Sequence, residues 1–346
     1  MQTPELEGFQ YVASEKDGQR LEARYRILGL LGTGSTADVY LAFDELEQVP
    51  VVVKWLIESA AQNRQIRARF LLGAASAQSV RHPAVRRVLS IDASSTDPPY
   101  VVMEALPGES LDDYLEQSGP LPQALVLELA RPIAEGLAAA HAAGIVHRDL
   151  KPGNLFLVRA PGAKPTVKLI DFGFAKDTRA DPDAGPSSVN LVLGTAQYMA
   201  PEQVLAEPVD PRTDIYGFGM VLFRLLTGHL PFDLEQGVDL FSHQLYSPTP
   251  PPSWLVDGLD AGLEQIVLRC TRKHPANRYQ SIQAVLSDLA RVAESAEISE
   301  LPLVRMPDLF RPRNTSGLEA AEALAAHFKT EPPPATVRYD PESMER

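Results

Sequence analysis

The stretch His147-Arg148-Asp149-Leu150-Lys151-Pro152-Gly153-Asn154, followed by Asp171-Phe172-Gly173, decides how the rest of this chain is interpreted. It places an aspartate, a lysine, an asparagine and a second aspartate at fixed spacings. Phosphoryl transfer from a nucleotide uses such groups, because one carboxylate orients the attacking hydroxyl and other oxygens bind the metal ions that neutralise the phosphates. A lone aspartate or asparagine more often caps a helix or closes a turn. The two segments together favour the chemical interpretation.

These segments resemble the catalytic loop and the metal-binding segment of protein kinases, specifically the bacterial serine/threonine type. The resemblance implies that Asp149 is the catalytic base and that Lys151 lies against the transferred phosphoryl group. It implies that Asn154 and Asp171 bind Mg²⁺, with Mn²⁺ as an alternative ion. It further implies ATP as the phosphate donor and protein serine or threonine hydroxyls as the acceptors, since a lysine at position 151 is the serine/threonine signature.

A second group of motifs resembles the nucleotide-binding half of a kinase. Gly32-Thr33-Gly34-Ser35-Thr36-Ala37-Asp38-Val39 resembles the glycine-rich loop, in which glycines let backbone amides approach phosphates closely. Lys54 ends the apolar run Val51-Val52-Val53 and, by the resemblance, holds the α- and β-phosphates. The other residues that the resemblance assigns to the nucleotide are Gly32 and Gly34 in the loop, Val39 above and Phe156 below the adenine, Met103 at the back of its pocket, and the backbones of Glu104 and Leu106 at the hinge.

The segment Gly194-Thr195-Ala196-Gln197-Tyr198-Met199-Ala200-Pro201-Glu202 resembles the end of the kinase activation segment. By that likeness Thr195 bonds Lys151 and Asp149 and helps to present the substrate. Glu202 is expected to pair with Arg278, and Asp214 is expected to brace the catalytic loop from a helix. These three roles are structural.

Arg148, directly before Asp149, suggests control by phosphorylation. A phosphate brings a charge of about −2 and pairs well with an arginine. The candidate acceptors in the activation segment are Thr178, Ser187 and Ser188. We expect autophosphorylation at Ser187 or Ser188.

Strand patterns come first along the chain and helical patterns follow, which predicts an α+β fold with two lobes. The expected architecture is protein-kinase-like, with a small antiparallel-sheet N-lobe and a large helical C-lobe. The predicted strands are Tyr25–Leu31, Ala37–Phe43, Val49–Leu56 and Tyr100–Glu104, and the predicted helices cover 62–80, 121–143, 214–227, 260–270 and 281–293.

These patterns and the resemblance together imply the domain boundaries. Residues 1–24 form a loosely held N-terminal extension, and 25–293 the kinase domain, with the N-lobe at about 25–103, the hinge at about 104–108 and the C-lobe at about 109–293. Residues 294–346 form a proline-interrupted tail with one short helix at 317–328. That helix either docks on the kinase domain or binds a partner protein.

The composition limits the partners. A net charge of −13 argues against nucleic acid or an anionic membrane as the main partner. No stretch approaches the roughly 18 apolar residues of a membrane span. The lone cysteine, Cys270, indicates a reducing, cytoplasmic location and a structural thiol.

Three positions of the small lobe depart from the kinase pattern: Ala37 replaces the third glycine of the loop, Val52 takes a place usually held by alanine, and Gly73 replaces a glutamate. In kinases a glutamate on the first large helix pairs with the strand lysine, but Gly73 stands there, and residues 60–100 contain no glutamate. Three functions therefore remain open. They are an active serine/threonine kinase, a weakly active or inactive ATP-binding pseudokinase that serves as a regulatory scaffold, and a small-molecule kinase. The segment Gly194–Glu202 disfavours the third.

Overall fold

The computed structural model describes residues 9–92, 98–159, 164–171, 176–177, 196–232 and 240–295. Phe172, Gly173, Thr178, Ser187, Ser188 and Thr195 lie outside these ranges, as does the tail beyond residue 295 with its predicted helix at 317–328.

The first half of the chain forms a six-stranded antiparallel sheet in the order β1-β2-β3-β4-β6-β5. Alternating apolar residues stabilise this sheet, because every second side chain of a strand points to the same face and can be buried there. One face buries Trp55 edge-on between the rings of Tyr40 and Tyr100, at centroid distances of 6.2 and 5.7 Å. The strands are β1 (Arg20–Leu21), β2 (Tyr25–Thr33), β3 (Ala37–Asp44), β4 (Val49–Leu56), β5 (Val88–Asp92) and β6 (Tyr100–Glu104).

Two helices lie between β4 and β5. The helices are α1 (Glu58–Ala61) and α2 (Arg64–Ser79). Asn63 caps α2, since its side chain accepts from the N–H groups of Gln65 and Ile66. α2 packs on the sheet with a buried stripe of small residues that includes Gly73 and Ala77. The stripe places the middle of α2 beside a cavity that Lys54 of β4 also lines.

The second half is mainly helical. The central helix is α6, which begins at the cap Asp210 with Pro211 in its first turn and ends at Gly228, whose φ of 73° is the left-handed conformation favoured by glycine. Nearly every residue of α6 is buried, so it forms the middle of the large lobe's core. The helices of this half are α3 (Leu111–Ser118), α4 (Gln123–Ala142), α5 (Pro201–Val204), α6 (Pro211–Thr227), α7 (Leu240–Tyr246), α8 (Ala261–Cys270) and α9 (Ile282–Ser295).

Two small sheets lie where the lobes meet. One has the order β10-β9-β7 and the other pairs β11 with β8. Gly108 in β7 is needed there, because its φ is 138° and an added Cβ would lie 2.0 Å from Leu157 O. The strands are β7 (Gly108–Ser110), β8 (Ile145–Val146), β9 (Leu155–Val158), β10 (Thr166–Leu169) and β11 (Lys176–Asp177).

The described part of the N-terminal extension packs on the small lobe. Val12 forms a two-way backbone pair with Leu30, with N···O distances of 2.9 and 2.8 Å. The Lys16 ammonium lies 4.1 Å from the Trp55 ring centroid. Tyr100 Oη donates to Glu22 at 2.9 Å. Polar composition concealed these contacts, since they use backbone groups and ring faces.

The predicted α+β, two-lobed architecture is confirmed. Within the described ranges, no helix combines the length and the apolar character needed to cross a lipid bilayer. Cys270 is buried in the large lobe, and burial raises the pKa of its thiol well above the usual range. The position therefore suits a structural thiol.

A buried ion pair joins α5 to the segment before α9. The Arg278 guanidinium donates to both carboxylate oxygens of Glu202, at 2.7 and 2.8 Å, and both residues are almost fully buried. Burial raises the pKa of Glu202, but the hydrogen bonds and charge of Arg278 outweigh it, so the net pKa is lowered. Arg278 also donates to the carbonyls of Arg212 and Lys273. The pair thus ties four segments together.

We expect Arg278→Met to lower the free energy of unfolding by about 3–5 kcal/mol, because it leaves the Glu202 carboxylate buried without its partner. A matched control is Arg131→Met, which removes an exposed ion pair to Glu135 on α4 and should cost no more than about 0.5 kcal/mol. Urea unfolding followed by circular dichroism measures both. Similar losses in the two variants would contradict the structural role.

Candidate active site

The catalytic loop is anchored by Asp214 in the first turn of α6. Its carboxylate accepts hydrogen bonds from the backbone N–H groups of His147 and Arg148, each at 2.8 Å, and His141 Nε2 lies 2.8 Å from Oδ2. Burial raises the pKa of Asp214, but the bond from His141 and the nearby charges outweigh it and hold the pKa below its usual range. The anchor therefore stays ionised at neutral pH.

Two residues of the site have left-handed backbones. The φ angles of Arg148 and Asp171 are 67° and 63°. A residue other than glycine at such an angle typically costs about 1 kcal/mol or more, and such residues cluster at functional sites. At Arg148 the bond from its N–H to Asp214 holds the conformation.

Asp149, Lys151 and Asn154 meet in the loop that the anchor fixes. Asn154 Nδ2 donates to the backbone oxygen of Asp149 at 2.7 Å and to its Oδ2 at 2.8 Å. Lys151 Nζ lies 3.4 Å from the same Oδ2, and the side chain of Asp149 is 10% exposed. The Asp149 carboxylate is thus oriented by neighbours and still reachable at the cleft.

Asp171 faces Lys54 from the opposite side of the cleft. Lys54 Nζ lies 2.5 Å from Asp171 Oδ2. Although 40% of the Asp171 side chain is exposed to the cleft, the surrounding walls remove water and raise its pKa. The positive charge of Lys54, with smaller contributions from His147 and Lys151, outweighs that cost and lowers the net pKa. Asp171 is therefore an ionised carboxylate.

The side chains of Asn154 and Asp171 fit a hard divalent cation. Mg²⁺ prefers oxygen ligands, and Asp171 offers an ionised carboxylate at the open cleft. The Asn154 amide nitrogen is taken by Asp149, which leaves the amide oxygen as its free acceptor. These two residues are the ones that would hold the ion, and the ion would supply charge neutralisation for phosphate oxygens.

The glycine-rich segment forms the turn between β2 and β3. Gly34 N–H donates to Ala37 O at 3.0 Å, and a Cβ on Gly34 would lie 2.8 Å from that oxygen, so glycine is required there. Gly32 pairs with Val39 across the turn, and Val39 pairs with Lys54 on β4. The sheet register thus places the loop, Val39 and Lys54 in one row.

The hinge follows β6 and leaves backbone groups for a ligand. Glu104 N–H is taken by Arg87 O at 3.0 Å, and the Glu104 carboxylate accepts from Lys168 Nζ at 2.7 Å. Among the described residues, no acceptor engages the Leu106 N–H. Met103 is buried at the back, and Phe156 is half-buried on β9, opposite Ser110. The hinge is rigidly placed by side chains on its outer face.

Gly73 faces the cleft from the middle of α2. It lines a cavity of about 60 Å³ behind Met103, together with Lys54, Arg86 and Asp171. Helix α2 thus offers no carboxylate to Lys54, and Asp171 is the carboxylate that contacts it.

Arg86 was not recognised as a candidate from the sequence. It lies in the connection between α2 and β5, its N–H donates to Leu169 O at 2.9 Å and its Nε donates to Glu104 O at 3.0 Å. Burial lowers its pKa to about 10. The available signal was a charged pair, Arg86-Arg87, in the otherwise apolar run from Ala84 to Leu89.

Comparison with known proteins identifies one family. The protein kinase domain family matches residues 25–289. Serine/threonine-protein kinase PknL of Mycobacterium tuberculosis is 35% identical over 296 residues, which cover 86% of this chain and 71% of PknL. Serine/threonine-protein kinase Pkn1 of Myxococcus xanthus is 38% identical over 277 residues, or 80% of this chain and 39% of Pkn1.

A solved structure supports the fold. The PknI kinase domain of Mycobacterium tuberculosis aligns with a TM-score of 0.61 and 23% identity, covering 80% of this chain and 98% of that domain. The family match and the sequence relatives together show that the chain belongs to the protein kinase family, in its bacterial serine/threonine branch.

Proposed function

We propose that this chain transfers the γ-phosphate of ATP to serine or threonine hydroxyls of protein substrates, and that Asp149, Lys151, Asn154 and Asp171 carry the reaction. One observation supports this above the others. Asp149 is held by Asn154 and lies beside Lys151 in a loop fixed to Asp214, while an ionised Asp171 faces the same cleft. The names of PknL and Pkn1 as serine/threonine kinases support the acceptor class.

Asp149 acts as the base that orients the substrate hydroxyl and accepts its proton. General bases of this kind need a fixed position within hydrogen-bond reach of the hydroxyl, and the two bonds from Asn154 fix Asp149. Lys151, 3.4 Å from Asp149 Oδ2, presents a positive charge where the transferred phosphoryl group carries negative charge.

Lys54 and the hinge position the nucleotide. The Glu104 carbonyl and the Leu106 N–H take the adenine base, between Val39 and Phe156 and in front of Met103. Gly32 and Gly34 allow the loop amides to approach the phosphates. Lys54 exchanges its contact with Asp171 for the α- and β-phosphates, and Asn154 and Asp171 hold Mg²⁺ or Mn²⁺, which neutralises phosphate charge.

The findings favour an active kinase over a pseudokinase, because the groups for catalysis and metal binding are all present. Gly73 removes one partner of Lys54, but Asp171 already holds that lysine in the cleft. Protein substrates are the partner class, and a partner protein of the 294–346 tail is a prediction. So are a cytoplasmic location and the boundaries of the extension, the lobes and the tail.

Asp149→Asn is expected to lower phosphate transfer from labelled ATP and Mg²⁺ to a generic protein substrate by about 10²-fold or more, because the amide cannot accept the proton. Labelled phosphate on the substrate is the measurement. Asp257→Asn, an exposed aspartate in a loop, is the matched control and should retain full transfer. No transfer by the wild type, with ATP still bound, would instead support the scaffold function.

Lys54→Met is expected to reduce transfer at least tenfold by removing the cation that holds the phosphates. Titration calorimetry with ADP and initial rates at several ATP concentrations separate a loss of binding from a loss of turnover. Lys164→Met, an exposed lysine, serves as the charge-matched control. Wild-type rates in Lys54→Met would remove Lys54 from the nucleotide site.

Arg148 supports a phosphorylation site in the activation segment. Its Nε is buried and has no hydrogen-bond partner among the described residues. Burial lowers the pKa of the Arg148 guanidinium. The negative charge of Asp214 acts in the opposite direction but is the smaller effect. A phosphate would satisfy this guanidinium.

We therefore expect phosphopeptide mapping of protein incubated with ATP and Mg²⁺ to find phosphate on Ser187 or Ser188, with Thr178 as the other candidate. The same preparation of Asp149→Asn should carry none, because the modification is autocatalytic. Fully active wild type without phosphate between residues 174 and 195 would contradict this control mechanism.

A further inference from the structure

Arg86 spans the back of the nucleotide cleft, and the proposed reaction gives it no role. Its backbone N–H is fixed to Leu169 O at 2.9 Å, two residues before Asp171. Its side chain reaches the hinge, where Nε donates to Glu104 O at 3.0 Å. The residue is therefore held at both ends of the cavity behind Met103, with its guanidinium at the hinge end.

The guanidinium has unused donors in that cavity. An arginine side chain carries five N–H donors, and among the described residues only the Nε donor has an acceptor, Glu104 O. Gly73 lines the same cavity and contributes no carboxylate. The Asp171 carboxylate is engaged by Lys54. The side chain is half-buried, so its remaining donors are available to an acceptor that a ligand brings into the cavity.

The position of Glu104 O identifies the part of the ligand that meets Arg86. The proposed function places the 6-amino group of adenine on this same carbonyl oxygen. Arg86 Nε and the 6-amino nitrogen would each lie about 3 Å from Glu104 O. The two nitrogens would therefore lie within about 6 Å of each other. The acceptors that flank the 6-amino group of adenine are N1 and N7, and the Leu106 N–H takes N1, which leaves N7. Arginine donates to the same ring nitrogen of guanine in DNA recognition.

We propose that the Arg86 guanidinium donates a hydrogen bond to N7 of the bound purine, which makes Arg86 a base-recognition residue of the nucleotide site. This inference rests on the proposed placement of adenine at Glu104 and Leu106. Burial lowers the pKa of Arg86 to about 10, so the side chain remains a cationic donor at neutral pH. The bond fixes the base edge that faces the cavity, while Glu104 and Leu106 fix the edge that faces the hinge.

Removing N7 from the ligand and Arg86 from the protein tests the contact directly. Titration calorimetry compares ADP with 7-deaza-ADP, in which carbon replaces N7, both with Mg²⁺. Wild-type protein is expected to bind ADP at least tenfold more tightly than 7-deaza-ADP, since a bond from a charged donor contributes about that much or more. In Arg86→Met the two ligands should bind within about twofold of each other.

Arg87→Met is the matched control. Arg87 is the neighbouring arginine, its side chain is 70% exposed, and its Nε lies 3.5 Å from the Glu104 carboxylate on the outer face of the hinge. The Arg87→Met variant loses the same charge from outside the cavity, and it should keep the tenfold preference for ADP over 7-deaza-ADP. Circular dichroism verifies folding. If Arg86→Met does not fold, Arg86→Lys replaces it, and the preference should fall at least threefold because lysine lacks the Nε that binds Glu104 O.

The outcomes separate the two proposals, because binding is measured without phosphoryl transfer. Equal wild-type affinities for ADP and 7-deaza-ADP overturn the role of Arg86 and leave the nucleotide site intact. A preference for ADP that persists in Arg86→Met also overturns it, because another group then contacts N7. Wild-type protein that binds neither ligand overturns the nucleotide site and the role of Arg86 together.

Discussion

The Asp214 carboxylate is the constraint on which the site depends. It lies at the buried start of α6 and accepts from two consecutive backbone N–H groups and from His141. Those bonds hold Arg148 in a left-handed conformation that its side chain disfavours. The turn at Arg148 then sends Asp149 into the cleft. A helix in the core of the large lobe thereby sets the direction of one carboxylate at its surface.

The cleft is assembled from charges held in place before any ligand arrives. Lys54 and Asp171 come from different lobes and form a direct contact. Asn154 holds Asp149, and Lys151 lies beside it. Preorganised charges of this kind avoid reorganisation during the reaction and act in a site with little water. The arrangement explains why the loss of one carboxylate at Gly73 leaves the others in position.

Local sequence patterns predicted the elements with strong periodicity. The strands Val49–Leu56 and Tyr100–Glu104 have the predicted limits. Helix α4 runs from Gln123 to Ala142 through Pro132, which removes a backbone donor. The helix continues because its apolar face is buried, and tertiary packing outweighs the local cost.

The contacts that the sequence did not predict depend on tertiary structure. Residues 9–24 pack on the sheet through a backbone pair at Val12 and through the ring face of Trp55. Neither contact produces a periodic pattern of hydrophobic residues in the sequence. The short strands β7, β9 and β10 have only three or four residues each, too few for a periodic signal. Motifs identified the reacting groups because the spacing of those residues along the chain is fixed. Arg86 reaches the hinge from a separate segment, so no such motif marks it.

Gly73 and Arg86 line the same cavity in the small lobe, and this gives their combination a physical reason. A glutamate at position 73 would lie in the cavity that Arg86 lines. There it would attract the guanidinium as well as Lys54, because both cations face the same small volume of low dielectric. Glycine leaves Lys54 to Asp171 and leaves Arg86 on the hinge carbonyl. Glycine at position 73 is therefore compatible with Arg86 on the hinge carbonyl and with Lys54 on Asp171.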